Sequence, residues 1–429
     1  LSHLVDFVPE NQFLFFATVS KGWKAAWRGR PKVTSLVSPD TSVSQLRHSF
    51  QCGLPRDRVS LCEQLARLGK LEPLQCAREN GCVWNYTTSF SAARGGHLPV
   101  LKWAGLVGSP WALIDYPAAA AAGGHLWVLQ WLFDKGCALK ATTCASAAEG
   151  GHVEVLRWAK QEGCPWDGAA CAAAAGGGHL AVLKWLRQEG CPWDKRTSSA
   201  AARGGHLGVL RWAREQGCPW GVRTCSYAAS RGFLHVLRWA REHNCPWDVL
   251  TCSLAADGGH LEVLQWAREH GCPWDECTCF AAAGKGFLAI LRWARQQGCS
   301  WDKHTCSAAA RHGDLALLQW ARQEGCPWDG ETCSASAGGG HLTVLQWARQ
   351  HGCPWHKMTC YEAALGGHLT LLQWAIRNGC PWRRSTSYAA ALEGHLAVVQ
   401  WAKQEGYHWD ERICAAAAAK GYLALLVWA

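Results

Sequence analysis

A unit of 27 residues recurs along this chain from near residue 61 to its end. The copy Thr251–Asp275 reads TCSLAADGGHLEVLQWAREHGCPWD, and Trp266 marks its place in the unit. Counterparts of Trp266 follow at steps of 27 residues, with one step of 28, at Trp103, Trp131, Trp158, Trp185, Trp212, Trp239, Trp293, Trp320, Trp347, Trp374, Trp401 and Trp428. A fixed period of this length is typical of repeat arrays, in which each unit packs on its neighbours. The 429 residues are therefore expected to form one long array and a short N-terminal piece, instead of several globular domains.

Two glycine positions predict where the helices of each unit end. The residue before His260 is glycine in all fourteen copies, and the position of Gly271 holds glycine in twelve of thirteen copies and Asn244 in the other. Glycine with asparagine as its only substitute is typical of a left-handed residue after a helix. Each unit is expected to hold two helices, roughly Asp275–Ala283 and His260–His270 and their equivalents. An aspartate belongs at the N-cap of the first helix, and candidates are Asp167, Asp194, Asp248, Asp275, Asp302, Asp329 and Asp410.

The second helix of the unit is apolar around most of its circumference. Its apolar residues are Leu261, Val263, Leu264, Trp266 and Ala267. We expect this helix to lie between neighbouring repeats, with the tryptophans largely buried. The first helix is short and rich in alanine, which predicts closer packing there and a stack that curves with the first helices on its concave side.

The unit resembles the ankyrin repeat. The segment GHLEVLQWAREHG, Gly259–Gly271, is similar to the second helix of that family, and TCSLAA, Thr251–Ala256, takes the place of its opening T-P-L-H-x-A-A. The family period is longer, about 33 residues, and the missing residues fall between Asp275 and Thr278, where the family forms a β-hairpin. The resemblance implies an all-α, curved solenoid of about 13–14 helix pairs without those hairpins, and a non-catalytic role in protein binding.

Residues 1–30 do not follow the repeat. Pro9 interrupts an apolar segment, and the sequence VSKGW follows at residues 19–23. This resembles the later part of an F-box. The resemblance implies that a ubiquitin-ligase adaptor docks on Leu4, Val8, Leu14, Val19 and Trp23. The alternative is a helical cap on the first repeat, which solenoids need.

These patterns give the domain organisation and an expected compartment. Residues 1–40 are expected to be the F-box-like segment or cap, 41–60 a connection or degenerate half-repeat, and 61–429 the array.

We expect the chain to be a fragment cut at both ends, since it lacks an initiator Met and stops within a predicted helix. No apolar run reaches the length of a membrane span, and no signal peptide is evident. An intracellular monomer, cytoplasmic or nuclear, is expected.

The 24 cysteines occupy mainly two positions of the unit, represented by Cys272 and Cys279. A disulfide framework is typical of small secreted domains without a core, and zinc sites need closer ligand spacing. The two positions recur as a pair seven residues apart, and in some copies one member is replaced without a change in the other, at Ser198, Ser387 and Tyr407. We therefore interpret the cysteines as small buried packing residues in a reduced compartment and expect no metal site.

The histidine of the Gly-His step is interpreted as a helix-start residue. Phe233, Phe287, Tyr422, Asp314 and Lys70 stand in the same place, and a catalytic base cannot be replaced by phenylalanine. No nucleophile–base set or phosphate-binding loop is found elsewhere in the sequence. The chain is expected to be no enzyme and to need no cofactor.

Two surfaces remain as candidates for binding. The residues after the N-cap and the aromatic residues of the first helix vary between copies, and varied surface on a rigid scaffold is where binding usually lies. They predict a protein-binding concave rim at Lys195, Arg196, Arg223, Tyr227, Lys303, His304, Tyr361, Arg384 and Tyr388. The other surface is a ladder of cations on the second helices, at Lys160, Arg187, Arg214, Arg241, Arg268, Arg295, Arg322 and Arg349. With a net charge of +10 this ladder suits nucleic-acid phosphates, and the alternative is an ordinary solvated face, which we favour.

Overall fold

The fold of the chain consists of paired helices. The computed structural model describes residues 41–51, 59–106, 115–407 and 411–428. Every regular element within these ranges is an α-helix, and they contain no strand. The F-box-like residues Leu4, Val8, Leu14, Val19 and Trp23 lie outside the described residues.

Each repeat holds two helices, named here its first and second helix. The first helices are Val59–Arg67, Tyr86–Arg94, Tyr116–Ala122, Ala141–Glu149, Gly168–Gly176, Lys195–Gly204, Thr224–Ser230, Val249–Asp257, Glu276–Gly284, Lys303–His312, Gly330–Gly338, Thr359–Leu365, Arg384–Leu392 and Glu411–Lys420. The second helices are Leu71–Glu79, Leu98–Leu106, Leu126–Asp134, Val153–Gln161, Leu180–Gln188, Leu207–Glu215, Leu234–Glu242, Leu261–Glu269, Leu288–Gln296, Leu315–Gln323, Leu342–Gln350, Leu369–Arg377, Leu396–Gln404 and Leu423–Trp428. One further helix, Val43–Gln51, packs against Leu71–Glu79.

The helix pairs pack in chain order, as the repeat predicts. The chain divides into two compact units, one ending at Gly221 and the other beginning at Val222. Within each unit, the first helix of a repeat packs on the first helices of the adjacent repeats and on its own second helix. The expected α-solenoid is confirmed, and helix Glu276–Gly284 begins directly after Asp275, so no hairpin is inserted there.

Local backbone chemistry sets the helix ends as expected. The glycine before each second helix has a positive φ in all fourteen repeats, for example +79° at Gly259. Gly271 has a φ of +80°, and Asn244 at the equivalent position has a φ of +60°. The aspartate N-caps are confirmed where the structure describes them: the side chain of Asp275 accepts a hydrogen bond from the backbone N–H of Cys277 at 3.1 Å. Asp410 lies outside the described residues.

The tryptophans of the second helices keep only a minor part of their surface in solvent, which agrees with the prediction that they are largely buried. In the Leu261–Glu269 helix Val263 and Leu264 are 2% and 0% exposed, whereas Trp266 keeps part of its ring in solvent. The reason lies in the ring's neighbours. One side of Trp266 meets the edge of Trp247, 6.1 Å away between ring centroids, and His270 stacks on it at 4.2 Å. These neighbours lie at the surface themselves and cannot cover the ring completely.

The histidine of the Gly-His step joins neighbouring repeats. Nε2 of His395 lies 2.9 Å from the backbone oxygen of Leu365, at the end of the preceding first helix. Its ring rests on Gly367, where an added Cβ would lie 2.5 Å from Nδ1 of His395. Equivalent histidine–carbonyl contacts are made by His97, His125, His152, His179, His341 and His368. The structural interpretation of these histidines is therefore confirmed.

The cysteines pack inside the array, but their partners differ from the sequence-adjacent pairs. Twenty of the cysteines that the structure describes are buried. Contacts join residues twenty apart in one repeat: Sγ of Cys333 lies 3.4 Å from Sγ of Cys353. The pair replaced by Ser387 and Tyr407 therefore changes as a unit, and Tyr407 stacks on Trp382 at 4.1 Å. Burial raises the pKa of the Cys218 thiol to about 11, which keeps it neutral.

Candidate protein-interaction surface

The predicted rim residues lie at the starts and on the exposed sides of first helices. Lys195 and Arg196 begin the helix Lys195–Gly204 in the first unit. The remaining rim residues belong to the second unit and are distributed over four of its first helices and the residues next to them: Arg223, Tyr227, Lys303, His304, Tyr361, Arg384 and Tyr388. They thus form several local clusters.

Part of the predicted positive charge is neutralised within the array. Nε of Arg196 lies 2.9 Å from a carboxylate oxygen of its own N-cap, Asp194. Nζ of Lys303 lies 2.7 Å from a carboxylate oxygen of Asp329, the N-cap of the next repeat. This ion pair raises the pKa of Lys303. Both cations therefore have an N-cap carboxylate within reach, and their predicted contact with a partner stays a prediction.

His304 lines a groove of mixed charge, the Phe280 groove. It has a volume of about 670 Å³ and is lined by, among others, Phe280, His304, Arg311, Glu331, His356, Met358 and Glu362. Nδ1 of His304 lies 3.4 Å from a carboxylate oxygen of Glu331. Phe280 is 46% exposed at the groove. Sequence reasoning missed His356 and Glu362, since their contribution depends on which residues of successive repeats face the same groove.

Arg384 and Tyr388 lie together in a second cavity, the Arg384 pocket. It has a volume of about 980 Å³, and its polar and aromatic lining consists of Trp382, Arg383, Arg384, Ser385, Tyr388 and Arg412. Its apolar lining consists of Leu392, Ala415, Ala416 and Ala419. The sequence offered one signal that was missed: Arg383 stands where most repeats carry the N-cap aspartate.

Arg223 and Tyr227 form a third cluster. Arg223 is exposed, and its guanidinium donates a hydrogen bond of 3.5 Å to the hydroxyl of Tyr227, one helical turn further. Tyr361 is half-buried in the helix Thr359–Leu365 and packs against the core of the second unit. Each cluster thus combines an aromatic ring with exposed polar groups, the composition that protein interfaces favour.

The cationic ladder of the second helices is engaged within the array. In seven repeats the arginine donates a hydrogen bond to the carbonyl of the cysteine in the following turn: Arg187, Arg214, Arg241, Arg268, Arg295, Arg322 and Arg349. Each of these guanidinium groups also stacks on the turn tryptophan, as Arg268 does on Trp274 at 4.2 Å. Lys160 instead pairs with Glu189 and lies over Trp166. The interpretation as a solvated face needs correction, because these cations fasten the turns.

Two further findings concern metals and membranes. Among the residues that the structure describes, no group of three or more His, Cys, Asp or Glu side chains is placed to hold a metal ion. Within the same residues, no helix has the length and hydrophobicity that crossing a bilayer requires.

Comparisons with known proteins give likenesses among the solved structures. No protein-family model matches the chain, and no curated protein matches it. The chain is similar to the crystal structure of the human ASB11 ankyrin repeat domain, with a TM-score of 0.32 and 18% sequence identity. The match covers 37% of this chain and 84% of that one.

Proposed function

We propose that this chain is a non-catalytic scaffold whose first-helix side binds a protein partner. One observation carries the proposal. The cations of the second helices are used to fasten turns, whereas the first-helix side carries aromatic and basic residues that differ from repeat to repeat, including Arg223, Tyr227, Arg384 and Tyr388. Rigid scaffolds with varied side chains on one side are suited to selective binding.

Site-specific photocrosslinking tests which side of the array meets the partner. A photoreactive phenylalanine placed at Tyr227 or Tyr361 is expected to capture a protein from an extract of the source organism. The same group at Glu262, which is exposed on a second helix, is the matched control and is expected to capture little. Tyr227→Ala and Arg223→Ala should each reduce capture from position 361, because interface hot spots favour Tyr and Arg. Equal capture from position 262 contradicts the proposal.

A finer proposal concerns residues 1–27. We propose that this segment docks a ubiquitin-ligase adaptor through Leu4, Val8, Leu14, Val19 and Trp23, so that the array acts as the substrate receptor. The support is the sequence resemblance to an F-box. Val19→Asp and Trp23→Ala are expected to abolish adaptor capture in a protein with an extended N-terminus, while the circular dichroism of the array stays unchanged. Failure of the unaltered segment to capture an adaptor leaves the helical-cap alternative.

The alternative function is nucleic-acid binding through the ladder. Salt dependence separates it from the proposal, because a complex built on phosphate contacts loses affinity steeply as salt rises. A protein interface with an apolar centre is expected to weaken much less. A steep loss of affinity with rising salt, together with RNA or DNA crosslinked from position 262, would favour this alternative over protein binding.

A further inference from the structure

Some first helices lack the aspartate cap that others have, and the helix Arg384–Leu392 is one of them. Six aspartates at this position accept a hydrogen bond from the backbone N–H two residues further, at 2.8–3.1 Å: Asp167, Asp194, Asp248, Asp275, Asp302 and Asp329. Arg383 has the same extended backbone, with φ −125° and ψ 151°, but makes no side-chain cap. The start of the helix Arg384–Leu392 therefore has two arginines where those six helices have a carboxylate.

The Arg384 pocket opens at this uncapped helix start. Ser385, whose N–H is equivalent to those capped elsewhere, lies in its lining beside Arg383 and Arg384. None of the lining residues that the structure describes is acidic. The Phe280 groove differs in this respect, since Asp257, Glu331 and Glu362 line it together with its cations. The pocket thus has a surplus of positive charge that is absent from the groove two to three repeats earlier.

The two arginines of the helix start are accessible to a ligand. Arg383 and Arg384 are both exposed, and no ion pair within the described part of the chain holds either of them. The lining also has an apolar part, to which Leu392, Ala415, Ala416 and Ala419 contribute, and Tyr388 lies in the same pocket. A bare anion would contact only the charged part, whereas a peptide that carries both a carboxylate and an apolar side chain would contact both.

We propose that the Arg384 pocket binds an acidic peptide segment of a protein partner. One side-chain carboxylate of the peptide takes the place of the missing N-cap aspartate, accepts the N–H of Ser385 and pairs with Arg384. Carboxylates match the planar fork of arginine and the positive end of a helix. A neighbouring apolar side chain of the peptide packs on Leu392 and Ala416. This inference rests on the proposed function and adds the chemical class of the partner.

Fluorescence anisotropy with the full chain tests the pocket. The probe is a fluorescein-labelled peptide with Ser-Glu-Leu repeated four times, and the control peptide has Gln in place of each Glu. The acidic peptide is expected to bind, and Arg384→Glu to raise its Kd about tenfold or more, because a charge-assisted bond is lost and a repulsion added. Lys357→Glu is the matched control, since Lys357 is exposed at the same position one repeat earlier and lies outside the pocket lining. It should change the Kd by less than about twofold, as surface charges at a distance do.

A second variant separates binding from folding. Arg383→Asp restores the cap that other repeats have. It is expected to slow hydrogen exchange of the Ser385 amide in the free chain and, at the same time, to abolish peptide binding. Loss of binding with a more protected helix start cannot be explained by unfolding. The unmodified chain should gain the same protection when it is saturated with the acidic peptide.

Five results overturn the inference, four with the peptides and variants and one with a competitor. The first four are no binding of the acidic peptide, equal binding of the Gln peptide, an equal loss in Lys357→Glu, and unchanged binding in Arg383→Asp. Displacement of the peptide by an oligothymidylate more readily than by unlabelled peptide also contradicts it, because it indicates a general anion site. If the acidic peptide does not bind while a protein is still captured from positions 227 and 361, only this inference is contradicted. If neither position captures a protein, the proposed function falls with it.

Discussion

The glycine that precedes each second helix meets two constraints at once. At Gly367 the backbone has a φ of +71°, which disfavours any side chain. The ring of His395 from the next repeat also lies where a Cβ would be, and its bond to the oxygen of Leu365 holds it there. When Asp314 replaces this histidine and caps its own helix, His312 lies against Gly286 instead. The contact between glycine and ring is thus retained although the residue that supplies the ring moves.

The two constraints can be separated by a pair of substitutions. Gly379 also has a positive φ, +80°, but a Cβ there would meet nothing within 4 Å. Gly379→Ala should therefore cost about 1 kcal/mol for the left-handed backbone alone. Gly367→Ala should cost roughly 1 kcal/mol more, because the histidine must give up its hydrogen bond to make room. Urea unfolding and hydrogen exchange over residues 359–380 measure both, and equal costs would show that the ring contact contributes nothing.

The arginines of the second helices are the other residues whose role became evident only in three dimensions. Arg322→Gln is expected to destabilise its repeat by about 1 kcal/mol, because it loses the stack on Trp328 and the charge-assisted bond to the carbonyl of Cys326. Gln323→Ala is the control in the same helical turn, at an exposed position. Hydrogen exchange of residues 324–332 reports the difference. A cost no larger than that of the control would mean that the arginine is merely solvated.

At the level of the helices, the sequence predicted what local chemistry decides and missed what neighbours decide. Asp275 as N-cap and the left-handed Gly271 placed the helix ends within a residue or two of the observed helices, because capping needs only nearby backbone. The fraction of Trp266 that stays in solvent depends on how far the adjacent turn covers the ring, and the sequence did not predict that fraction. Periodicity indicates the side of a helix that is covered but not the extent of that cover.

The difference between local chemistry and contacts with neighbours also explains why the cysteine contacts and the full lining of the Arg384 pocket were not predicted. Cys272 and Cys279 are close in the chain, yet the contacts join first helix and turn within one repeat, as between Cys333 and Cys353. For the pocket, Arg384 and Tyr388 were predicted because they vary between copies. Arg412 was not, since its contribution requires the next first helix to pack beside them.

The tryptophans of the turns and of the second helices form edge-to-face pairs between neighbouring repeats. The ring centroids of Trp274 and Trp293 are 5.8 Å apart, with an interplanar angle of 66°. Such pairs contribute about 0.5–1.5 kcal/mol beyond their buried area. A double-mutant cycle of Trp274→Ala and Trp293→Ala should give a coupling free energy in this range, whereas Trp247 and Trp293, which belong to different pairs, should be additive. Trp293→Ala itself should cost less than the roughly 3–5 kcal/mol of a fully buried tryptophan.

At the level of the whole molecule, charge and stability are both distributed along the chain. The net charge of +10 comes from many repeats. The ladder cations contact the carbonyls and tryptophan rings of the turn that follows in the same repeat. Within each of the two compact units, contacts likewise connect each repeat with its neighbours in the chain. Stability in such an array is a sum of repeat and interface contributions. A defect in one repeat should therefore remain a local defect.

Leu318→Ala tests this locality. Leu318 is fully buried in the helix Leu315–Gln323, so its truncation should cost about 2–5 kcal/mol. Hydrogen exchange is expected to accelerate in that repeat and in roughly two repeats on each side, and to stay unchanged further along the chain. Glu324→Ala, an exposed change next to the same helix, should accelerate exchange nowhere. Uniform acceleration from Val59 to Trp428 after the leucine change would mean that the array unfolds as one cooperative body, and the additive description of its repeats would have to be given up.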